Sequence, residues 1–406
     1  MPGDARVTGT VVVTLGRLPK GLDICRSFAA AGWRVVVAEP HARHLCGASN
    51  SVTRSIRLPP PAEGKRAYLQ TLAEAVRFHG ASLVVPVSEE ALHVAFLPQL
   101  LPGVPVFAMP PGPMLALHHK GRFIELSRAV GLDVPDTHPL GSEDAAVLAR
   151  TGRVVVKPIH SAAGRGVRLL AEGAALPAAE VGAPAVVQRF LPGAEFSSCT
   201  LAREGRVVGT VVYRGVQFAG SVACAFERVA HPRAEAWITR LVAALGWTGF
   251  ISFDLREDAE GVIHGIECNP RTTSGLHFFE TEDIAPAILG ARDTLRHRAT
   301  TRLQQFWSCL TETQLSAFRR ERAALGHLRN LVGTGDVTWS RRDPMPLLTM
   351  PYTAWPILRE AARRRVPFGE VATLDVGWFE GERLEPSPIA AAEAPATATS
   401  HTSAAT

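Results

Sequence analysis

The chain has 406 residues, 46% of them hydrophobic and 20% charged, with a formal net charge of +5. This composition is typical of a globular protein, and the length predicts two or three domains. No apolar run approaches the roughly 18 residues of a membrane helix, and the six cysteines form no CxxC pair. We therefore expect a cytoplasmic protein with reduced thiols, without a membrane span or zinc site. The mild positive charge suits small anionic ligands, and no basic stripe with aromatic residues indicates a nucleic-acid partner.

The first 110 residues alternate apolar segments with helical ones. We predict strands at Thr10–Leu15, Arg34–Ala38, Ser82–Val87 and Val104–Ala108. We predict helices at Gly21–Ala31, Lys65–His79 and Glu89–Leu97. Such alternation indicates βαβ units around a parallel sheet, so residues 1–111 are assigned to an N-terminal α/β domain.

The remainder of the chain divides into three predicted parts. Residues 112–299 begin with a helix at Pro113–Val130, and short strands with glycine turns predict a small antiparallel subdomain at about 150–215. Residues 300–385 have no assigned role, although a helix is predicted near Trp355–Arg365. Residues 386–406 consist largely of Ala, Thr, Ser and Pro and are predicted to be disordered.

Two elements of the middle region carry clear periodic patterns. One face of an amphipathic helix is marked by Trp237, Ile238, Leu241, Val242 and Leu245. A β-hairpin is predicted from the strands Phe250–Arg256 and Val262–Glu267, which the glycine-containing turn Asp258–Gly261 joins.

A lysine followed by a glycine-containing loop is the first candidate site. Lys157 ends the apolar segment Val154-Val-Val-Lys, where its charge would be desolvated without a partner. The loop that follows contains Ser161, Gly164, Arg165 and Gly166, and glycines allow backbone N–H groups to approach phosphate oxygens. The pattern differs from GxxxxGK[ST], and by itself it also fits an ordinary hairpin.

A second candidate is the segment Gln188–Leu191, which leads through a Pro–Gly bend to Glu195. Exposed backbone groups of such a linker can hydrogen-bond the edge of a planar base. The glutamate can accept hydrogen bonds from ribose hydroxyls. A plain turn between two strands explains the segment equally well in isolation.

The third candidate lies on the predicted hairpin, where Asp254, Glu267 and Asn269 place oxygen donors among apolar residues. Glu267, Asn269 and Arg271 are spaced by two, so they point to one face of a strand. Buried carboxylates repel each other unless a cation neutralises them, and hard oxygen ligands favour Mg²⁺. The alternative is a structural ion pair between Arg271 and Glu267.

In their order along residues 8–290, these motifs resemble the ATP-grasp superfamily, especially its branch related to carbamoyl phosphate synthetase and D-alanine–D-alanine ligase. The resemblance implies mixed α/β and α+β architecture, namely an ATP-grasp fold with an N-terminal Rossmann-like pre-ATP-grasp domain and an extra C-terminal region. It implies Mg²⁺ ligands at Asp254, Glu267 and Asn269, and catalytic roles for Arg271 and Lys157. The implied ATP-binding residues are Lys120, Lys157, Ser161, Gly164, Arg165, Gly166, Gln188, Arg189, Phe190, Leu191 and Glu195. The sequence departs from the family at Ala162-Ala163, where many members have glycine, and at Gln188, where an acid is common.

The resemblance further implies an ADP-forming carbon–nitrogen ligase that uses ATP and Mg²⁺, with Mn²⁺ as an alternative metal. A carboxylate, by analogy an amino acid, would attack the γ-phosphate to give an acyl phosphate, and an amine would then displace phosphate. The expected partners are these small-molecule substrates, and homodimer formation is left open.

Three other functions compete with this interpretation. Gly16, Gly21 and Glu39 are placed as in a dinucleotide-binding unit, but the GxGxxG pattern of a nicotinamide enzyme is missing. A non-catalytic ATP-binding protein would not need Asp254, Glu267, Asn269 and Arg271 together. Another ATP-grasp acyl or phosphoryl transfer, such as carboxylation, stays open.

Overall fold

A computed structural model describes residues 8–161, 164–179, 184–318, 323–365 and 368–378. These residues form three β-sheets with helices packed around them. Within the described ranges, the helices are all too short or too polar to cross a membrane. The predicted disordered tail, 386–406, lies outside the described residues.

The N-terminal region is a parallel sheet flanked by helices. Its elements are β1 (Thr10–Thr14), α1 (Pro19–Ala30), β2 (Arg34–Glu39), β3 (Arg54–Arg57), α2 (Lys65–His79), β4 (Leu83–Val85), α3 (Ala91–Val94) and α4 (Leu97–Leu100). The strands pair in parallel in the order β3-β2-β1-β4. Every residue of β1 is buried, as expected where helices cover both faces of a sheet. The predicted parallel α/β fold is confirmed.

Three local predictions in this region were wrong. Val104–Ala108 forms only one bridge, between Val106 and Val84, instead of a strand. The edge strand β3 was missed because its Arg-Ser-Ile-Arg sequence is mostly exposed and has no apolar run. The helix predicted at Glu89–Leu97 is two short helices, and Pro98, which lacks a backbone donor, lies in the first turn of the second.

The helix predicted at Pro113–Val130 is also two helices, α5 (Pro111–His118) and α6 (Lys120–Ala129). His119 separates them with an extended backbone, at φ −74° and ψ 109°. Its imidazole accepts a hydrogen bond from the Arg122 N–H and so caps α6. The break places Lys120 in the first turn of a new helix.

A small four-stranded sheet follows, with one helix packed on it. Its elements are β5 (Thr137–Pro139), α7 (Glu143–Arg150), β6 (Val154–Pro158), β7 (Arg168–Leu170) and β8 (Ala185–Arg189). The strand order is β5-β8-β6-β7, and all three pairings are antiparallel. Leu148 and Ala145 of α7 pack on Val154, Val156 and Val187 to form a separate small core.

The third part supplies most of a larger sheet. Its elements are β9 (Ala194–Arg203), β10 (Arg206–Ala219), β11 (Val222–Val229), α8 (Pro232–Leu245), β12 (Gly249–Glu257), β13 (Ile263–Asn269), α9 (Thr281–Ile288) and β14 (Arg302–Gln304). The predicted hairpin is confirmed as the antiparallel pair β12–β13. Helix α8 buries Trp237, Ile238, Leu241 and Val242, as the amphipathic pattern predicts.

The C-terminal region is helical and is attached to the same sheet. Its elements are α10 (Phe306–Phe318), α11 (Ala323–Gly333), β15 (Gly335–Asp336), α12 (Met345–Leu348), α13 (Met350–Thr353), α14 (Trp355–Arg364) and α15 (Phe368–Val371). With β15 the large sheet has seven strands in the order β13-β12-β9-β10-β11-β14-β15. Helix α14 agrees with the predicted helix near Trp355–Arg365.

Two ion pairs connect the C-terminal region to the N-terminal sheet. Arg17, in the loop after β1, bonds Asp375 at 2.7 Å, and Arg26 of α1 bonds Asp343 at 2.9 Å. Ser49 also donates a hydrogen bond to Asp343. The C-terminal region is therefore packed against the loop after β1 and against α1.

Candidate functional site

A cavity of about 1370 Å³ lies between the two antiparallel sheets, the N-terminal region and the C-terminal helices. It brings together most of the candidate residues, namely Lys157, Gly164, Gln188, Arg189, Phe190, Leu191, Glu195, Asp254, Glu267, Asn269 and Arg271. Of the remaining candidates, Lys120 and Ser161 join the site through hydrogen bonds and an ion pair, whereas Arg165 and Gly166 are not among the lining residues.

Lys157 lies on β6, and its ammonium is buried against an amide. The pairing of β6 with β8 places Gln188 opposite Val155, and Lys157 Nζ donates to Gln188 Oε1 at 2.8 Å. Gln188 Nε2 in turn donates to the Thr137 hydroxyl at 3.1 Å. Burial lowers the pKa of Lys157. Its bonded partner is a neutral amide, so a phosphate bound beside Lys157 would be a stronger partner for the ammonium than Gln188 is.

Lys120 connects three elements at the start of α6. Its Nζ lies 3.3 Å from Glu267 Oε1 on β13. It also donates to the backbone oxygen of Ser161 at 3.1 Å and to the hydroxyl of the same residue at 3.2 Å. The lysine therefore joins the acidic hairpin to the loop that carries the glycines.

The glycine loop has the backbone conformation that its sequence predicts. Gly164 and Gly166 have φ angles of 71° and 72°, a region that side chains other than glycine rarely adopt. A Cβ atom at Gly166 would lie 2.7 Å from Pro158 Cγ, at the end of β6. Both glycines are therefore required by the path of the chain. Ala162 and Ala163, the departures from the family pattern, lie outside the described residues.

The segment after β8 is held by an arginine that the sequence analysis missed. Arg256 of β12 donates to the Leu191 backbone oxygen at 2.8 Å and pairs with Glu195 at 2.6 Å. Its guanidinium also lies 5.2 Å from the centre of the Phe190 ring, and Arg153 approaches that ring at 4.4 Å. These contacts hold Phe190 and Leu191 at the cavity wall.

Asp254 and Glu267 are directly opposite each other in the β12–β13 pairing. Asp254 accepts hydrogen bonds from the Ser197 hydroxyl at 2.7 Å and from Asn269 Nδ2 at 3.1 Å. Burial, together with the negative charge of Glu267, raises the pKa of Asp254 to about 6. Two facing carboxylates with one nearby lysine form a site that attracts a further cation.

The donor set fits Mg²⁺. The described residues contain no group of three or more His, Cys, Asp or Glu side chains that could hold a metal by itself. Two carboxylates with one amide oxygen nevertheless match the way Mg²⁺ is usually bound, because this ion keeps waters and shares phosphate oxygens. Asp254, Glu267 and Asn269 would hold the ion, and it would supply positive charge to the phosphates.

Arg271 pairs with Glu89 instead of Glu267. Its Nε donates to Glu89 Oε1 at 2.7 Å, and its Nη2 donates to Asn269 Oδ1 at 3.0 Å. Burial would raise the pKa of Glu89, but Arg271, His118 and Lys20 outweigh it and hold the pKa at about 2. The ion pair with Glu267 considered from the sequence is not formed within the described residues. Glu89 therefore fixes Arg271 beside the acidic pair.

Lys20, Glu89 and Ser197 are cavity residues that the sequence analysis did not identify. Glu89 follows the apolar strand β4 almost directly, so a charged residue at the end of a buried strand was a usable signal. The same signal had identified Lys157. Lys20 comes from the first turn of α1, and its contact with the Thr272 backbone oxygen at 2.8 Å spans 252 residues. No local pattern could have revealed that contact.

Comparisons with known proteins agree with this architecture. Residues 122–275 match the model of the family described as an ATP-grasp domain. The fold is similar to that of an L-amino acid ligase from Bacillus licheniformis, with 18% identity, a TM-score of 0.56, and coverage of 72% of this chain and 76% of that one. It is also similar to that of an N5-carboxyaminoimidazole synthetase from Staphylococcus aureus, with 14% identity, a TM-score of 0.56, and coverage of 72% of this chain and 80% of that one. A biotin carboxylase from Campylobacter jejuni has a similar fold as well, with 13% identity, a TM-score of 0.56, and coverage of 71% of this chain and 73% of that one. A search of curated protein sequences gave no match. The chain therefore contains an ATP-grasp domain, and the molecule has the ATP-grasp fold.

Proposed function

We propose that the protein is an ADP-forming ligase that joins a carboxylate to an amine through an acyl phosphate. One observation carries the proposal. The acidic pair Asp254–Glu267, the cation Arg271 and the buried Lys157 all line one cavity that extends beyond them. This arrangement offers a place for metal-bound phosphates and, next to Arg271, room for a molecule that accepts the γ-phosphoryl group.

The chain's own residues have separate tasks in this reaction. Lys157 and Lys120 contact phosphate oxygens, and the loop with Gly164 and Gly166 closes over them. Asp254, Glu267 and Asn269 would hold Mg²⁺, which would supply the additional positive charge that the phosphates need. Phe190, Leu191 and Glu195 hold the base and ribose.

Arg271 lies where negative charge builds up on the γ-phosphoryl group during its transfer. A carboxylate oxygen attacks the γ-phosphorus, the bond to the bridging oxygen breaks, and ADP leaves with that electron pair. The amine then attacks the acyl carbon, the carbon–oxygen bond to phosphate breaks, and the nitrogen loses a proton. A preorganised guanidinium stabilises the charge on the transferring group and on the acyl phosphate without reorganising. Because Glu89 fixes it, Arg271 is already oriented before substrate binds.

An amino acid as the carboxylate substrate is part of the proposal, and the similarity of the fold to an L-amino acid ligase supports it. The domain limits at residues 111, 299 and 385, the cytoplasmic location, the absence of a nucleic-acid partner and the open question of a homodimer stay predictions of the sequence.

The proposal is tested by incubating the full chain with ATP, Mg²⁺, hydroxylamine and single carboxylic acids, and measuring ADP and hydroxamate. Hydroxylamine traps an activated acyl group, so hydroxamate that depends on one acid supports acyl-phosphate chemistry. ADP formation that depends on an acid but gives neither hydroxamate nor an amide would contradict it.

Carboxylation is the second candidate, because two of the carboxylating or carboxyamino-forming enzymes match the fold with the same TM-score of 0.56 as the ligase. In that case bicarbonate would occupy the place of the acid. Bicarbonate-dependent ADP formation in the same assay, with no response to organic acids, would favour this function over amide formation.

A further inference from the structure

The cavity is larger than a single ligand needs. Pockets for one drug-sized molecule usually measure about 300–1,000 Å³, whereas this cavity measures about 1370 Å³. The candidate nucleotide residues Lys157, Gln188 and Phe190 line one part of it. We refer to the wall lined by Lys20, Arg271 and residues of the C-terminal helices as the second part of the cavity. The molecule that accepts the γ-phosphoryl group next to Arg271 would lie in this second part.

Lys20 gives this second part a buried amine that forms no ion pair within the described residues. The residue is 8% exposed, and its ammonium donates to the Thr272 backbone oxygen at 2.8 Å. No carboxylate of the described chain forms an ion pair with it, since nearby Glu89 bonds Arg271 and Glu90 accepts from the N–H groups of Val87 and Ser88. Burial and the charge of Arg271 lower the pKa of Lys20 to about 7. A bound anion would offset the repulsion between the two cations.

The chain just before Lys20, at the start of α1, also reaches the C-terminal region. Leu18 packs against the apolar cluster formed by Ile357, Ala361, Val371 and Ala372. Two residues of chain span at most about 7 Å. The apolar cluster therefore begins within side-chain reach of Lys20.

Apolar side chains of the C-terminal helices continue this surface into the cavity. The lining residues that form this wall are Trp307, Leu315, Met350, Ile357, Leu358 and Phe368. Leu315 and Leu358 are 46% and 40% exposed, so the described protein leaves much of their surface uncovered. The Trp307 indole is fixed by a hydrogen bond from Nε1 to the Leu347 backbone oxygen at 2.9 Å. A cation pair next to a partly uncovered apolar wall matches a molecule with an anionic head and an apolar body.

We propose that this part of the cavity binds a carboxylic acid with a bulky apolar group, which is the acid that the enzyme activates. The carboxylate lies between Lys20 and Arg271, and the apolar group lies against the wall that the C-terminal helices provide. This assigns the C-terminal helices, in the residues that the structure describes between 306 and 371, the role of selecting the substrate. The inference rests on the proposed function and narrows its substrate class.

The test compares acids of increasing apolar size in the ADP and hydroxamate assay, using alanine, leucine and phenylalanine, and acetate, hexanoate and phenylacetate. Each methylene that enters an apolar pocket changes kcat/KM by roughly 10-fold or more. We therefore expect kcat/KM to rise at least about 10-fold from the small acid to the bulky acids in at least one series. Hydroxamate that forms equally well with small and bulky acids would overturn the inference while supporting the proposed function. The absence of ADP formation with every organic acid would overturn both.

Two pairs of variants test the residues. Leu358→Asp should lower kcat/KM for the bulky acid at least about 10-fold more than for the small acid. Its matched control is Leu348→Asp, at a leucine that is 61% exposed and does not line the cavity. Lys20→Met should raise KM for the acid but not for ATP, and Lys20→Arg should restore part of the loss. Equal effects of Leu358→Asp and Leu348→Asp, or a Lys20→Met variant with unchanged KM for the acid, would contradict the assignment.

Discussion

Two buried clusters of charged residues in this molecule have opposite charge balance. In one, Arg17 lies between Glu39 and Asp375, to which it is bonded at 2.8 and 2.7 Å. Glu39 also accepts from the backbone N–H of Arg17 at 3.0 Å. Burial would raise the pKa of Glu39, but Arg17 outweighs it and lowers the pKa. Each carboxylate faces the guanidinium, so this cluster is electrostatically satisfied by its own members.

The other cluster contains Asp254 and Glu267, which face each other across two strands. Their close cation is Lys120, 3.3 Å from Glu267, while Asp254 has only neutral hydrogen-bond partners, Ser197 and Asn269. Burial and the facing glutamate therefore raise the pKa of Asp254 to about 6. This cluster is satisfied only when it gains a cation.

Burial of charge therefore does not by itself identify a functional site. Both clusters are buried, and both join distant parts of the chain. A cluster whose charges balance acts as a structural connection. A cluster with excess charge of one sign is stabilised when a ligand of the opposite charge binds. Variants of the two clusters should consequently differ in what they lose, either stability or activity.

The largest effect is expected for Arg17→Ala. The substitution leaves Glu39, which is 1% exposed, without its cation. Removing one partner of a buried ion pair typically costs about 3–5 kcal/mol of the free energy of unfolding. Chemical denaturation would measure the change.

The control for this variant is Arg206→Ala, which breaks an exposed pair with Asp293 in which the side chains are 61% and 72% exposed. Such surface pairs contribute at most about 1 kcal/mol. If both variants lost the same small amount of stability, the Arg17 cluster would not be the structural connection described above.

Glu267→Gln should have the opposite outcome, with activity lost and stability kept. Removal of one preorganised charge that serves the transition state costs about 10²–10³-fold in kcat. The change removes repulsion from Asp254 but also the ion pair with Lys120, so the two effects offset each other and the thermal midpoint should change much less than in Arg17→Ala. ADP formation at increasing Mg²⁺ concentration and a thermal melt would measure both quantities.

Glu260→Gln is the matched control, since Glu260 lies exposed in the turn of the same hairpin. If the Glu267 variant were nearly as active as the Glu260 variant, the metal site would not lie at this position.

Lys157→Ala should act mainly on the nucleotide. A charge-assisted hydrogen bond to phosphate contributes about 1.5–3 kcal/mol, so KM for ATP should rise roughly 10–100-fold. KM for the carboxylic acid should change much less. Initial rates at varied ATP and varied acid would separate the two constants, and an equal rise in both would place Lys157 outside the nucleotide site.

The smallest effect is expected for Gln188→Glu, which introduces the acid that is common in the family. A carboxylate 2.8 Å from Lys157 would neutralise the ammonium in part. Affinity for ATP should therefore fall by a few-fold, because the lysine shares its charge between the new acid and the phosphate. Titration with a non-hydrolysable ATP analogue measures the change, and tighter binding would contradict the explanation.

Residue patterns within one or two neighbouring elements were enough to predict several parts of the fold. The β12–β13 hairpin, helix α8 and the parallel N-terminal sheet each follow from residue periodicity over one or two elements. The same patterns missed β3, whose residues are mostly exposed, and the break at His119, where a side chain caps the new helix. Elements without regularly spaced apolar residues cannot be predicted from this kind of pattern.

The candidate site was predictable only where its residues follow one another along a motif. The pairs Lys157–Gly166 and Glu267–Arg271 each lie within a few residues, so spacing alone placed them together. The contact of Arg271 with Glu89 joins residues 182 positions apart. It depends on how the N-terminal sheet docks against the hairpin, which no local sequence pattern encodes. The wall formed by the C-terminal helices was missed for the same reason.

The central claim is that this site transfers the γ-phosphoryl group of ATP to a carboxylate oxygen. The most direct measurement uses an acid substrate labelled with ¹⁸O in its carboxylate, followed by ³¹P NMR of the phosphate released when the amide forms. Acyl-phosphate chemistry predicts that each phosphate carries one labelled oxygen from the acid. Amide formation that releases unlabelled phosphate would contradict the account.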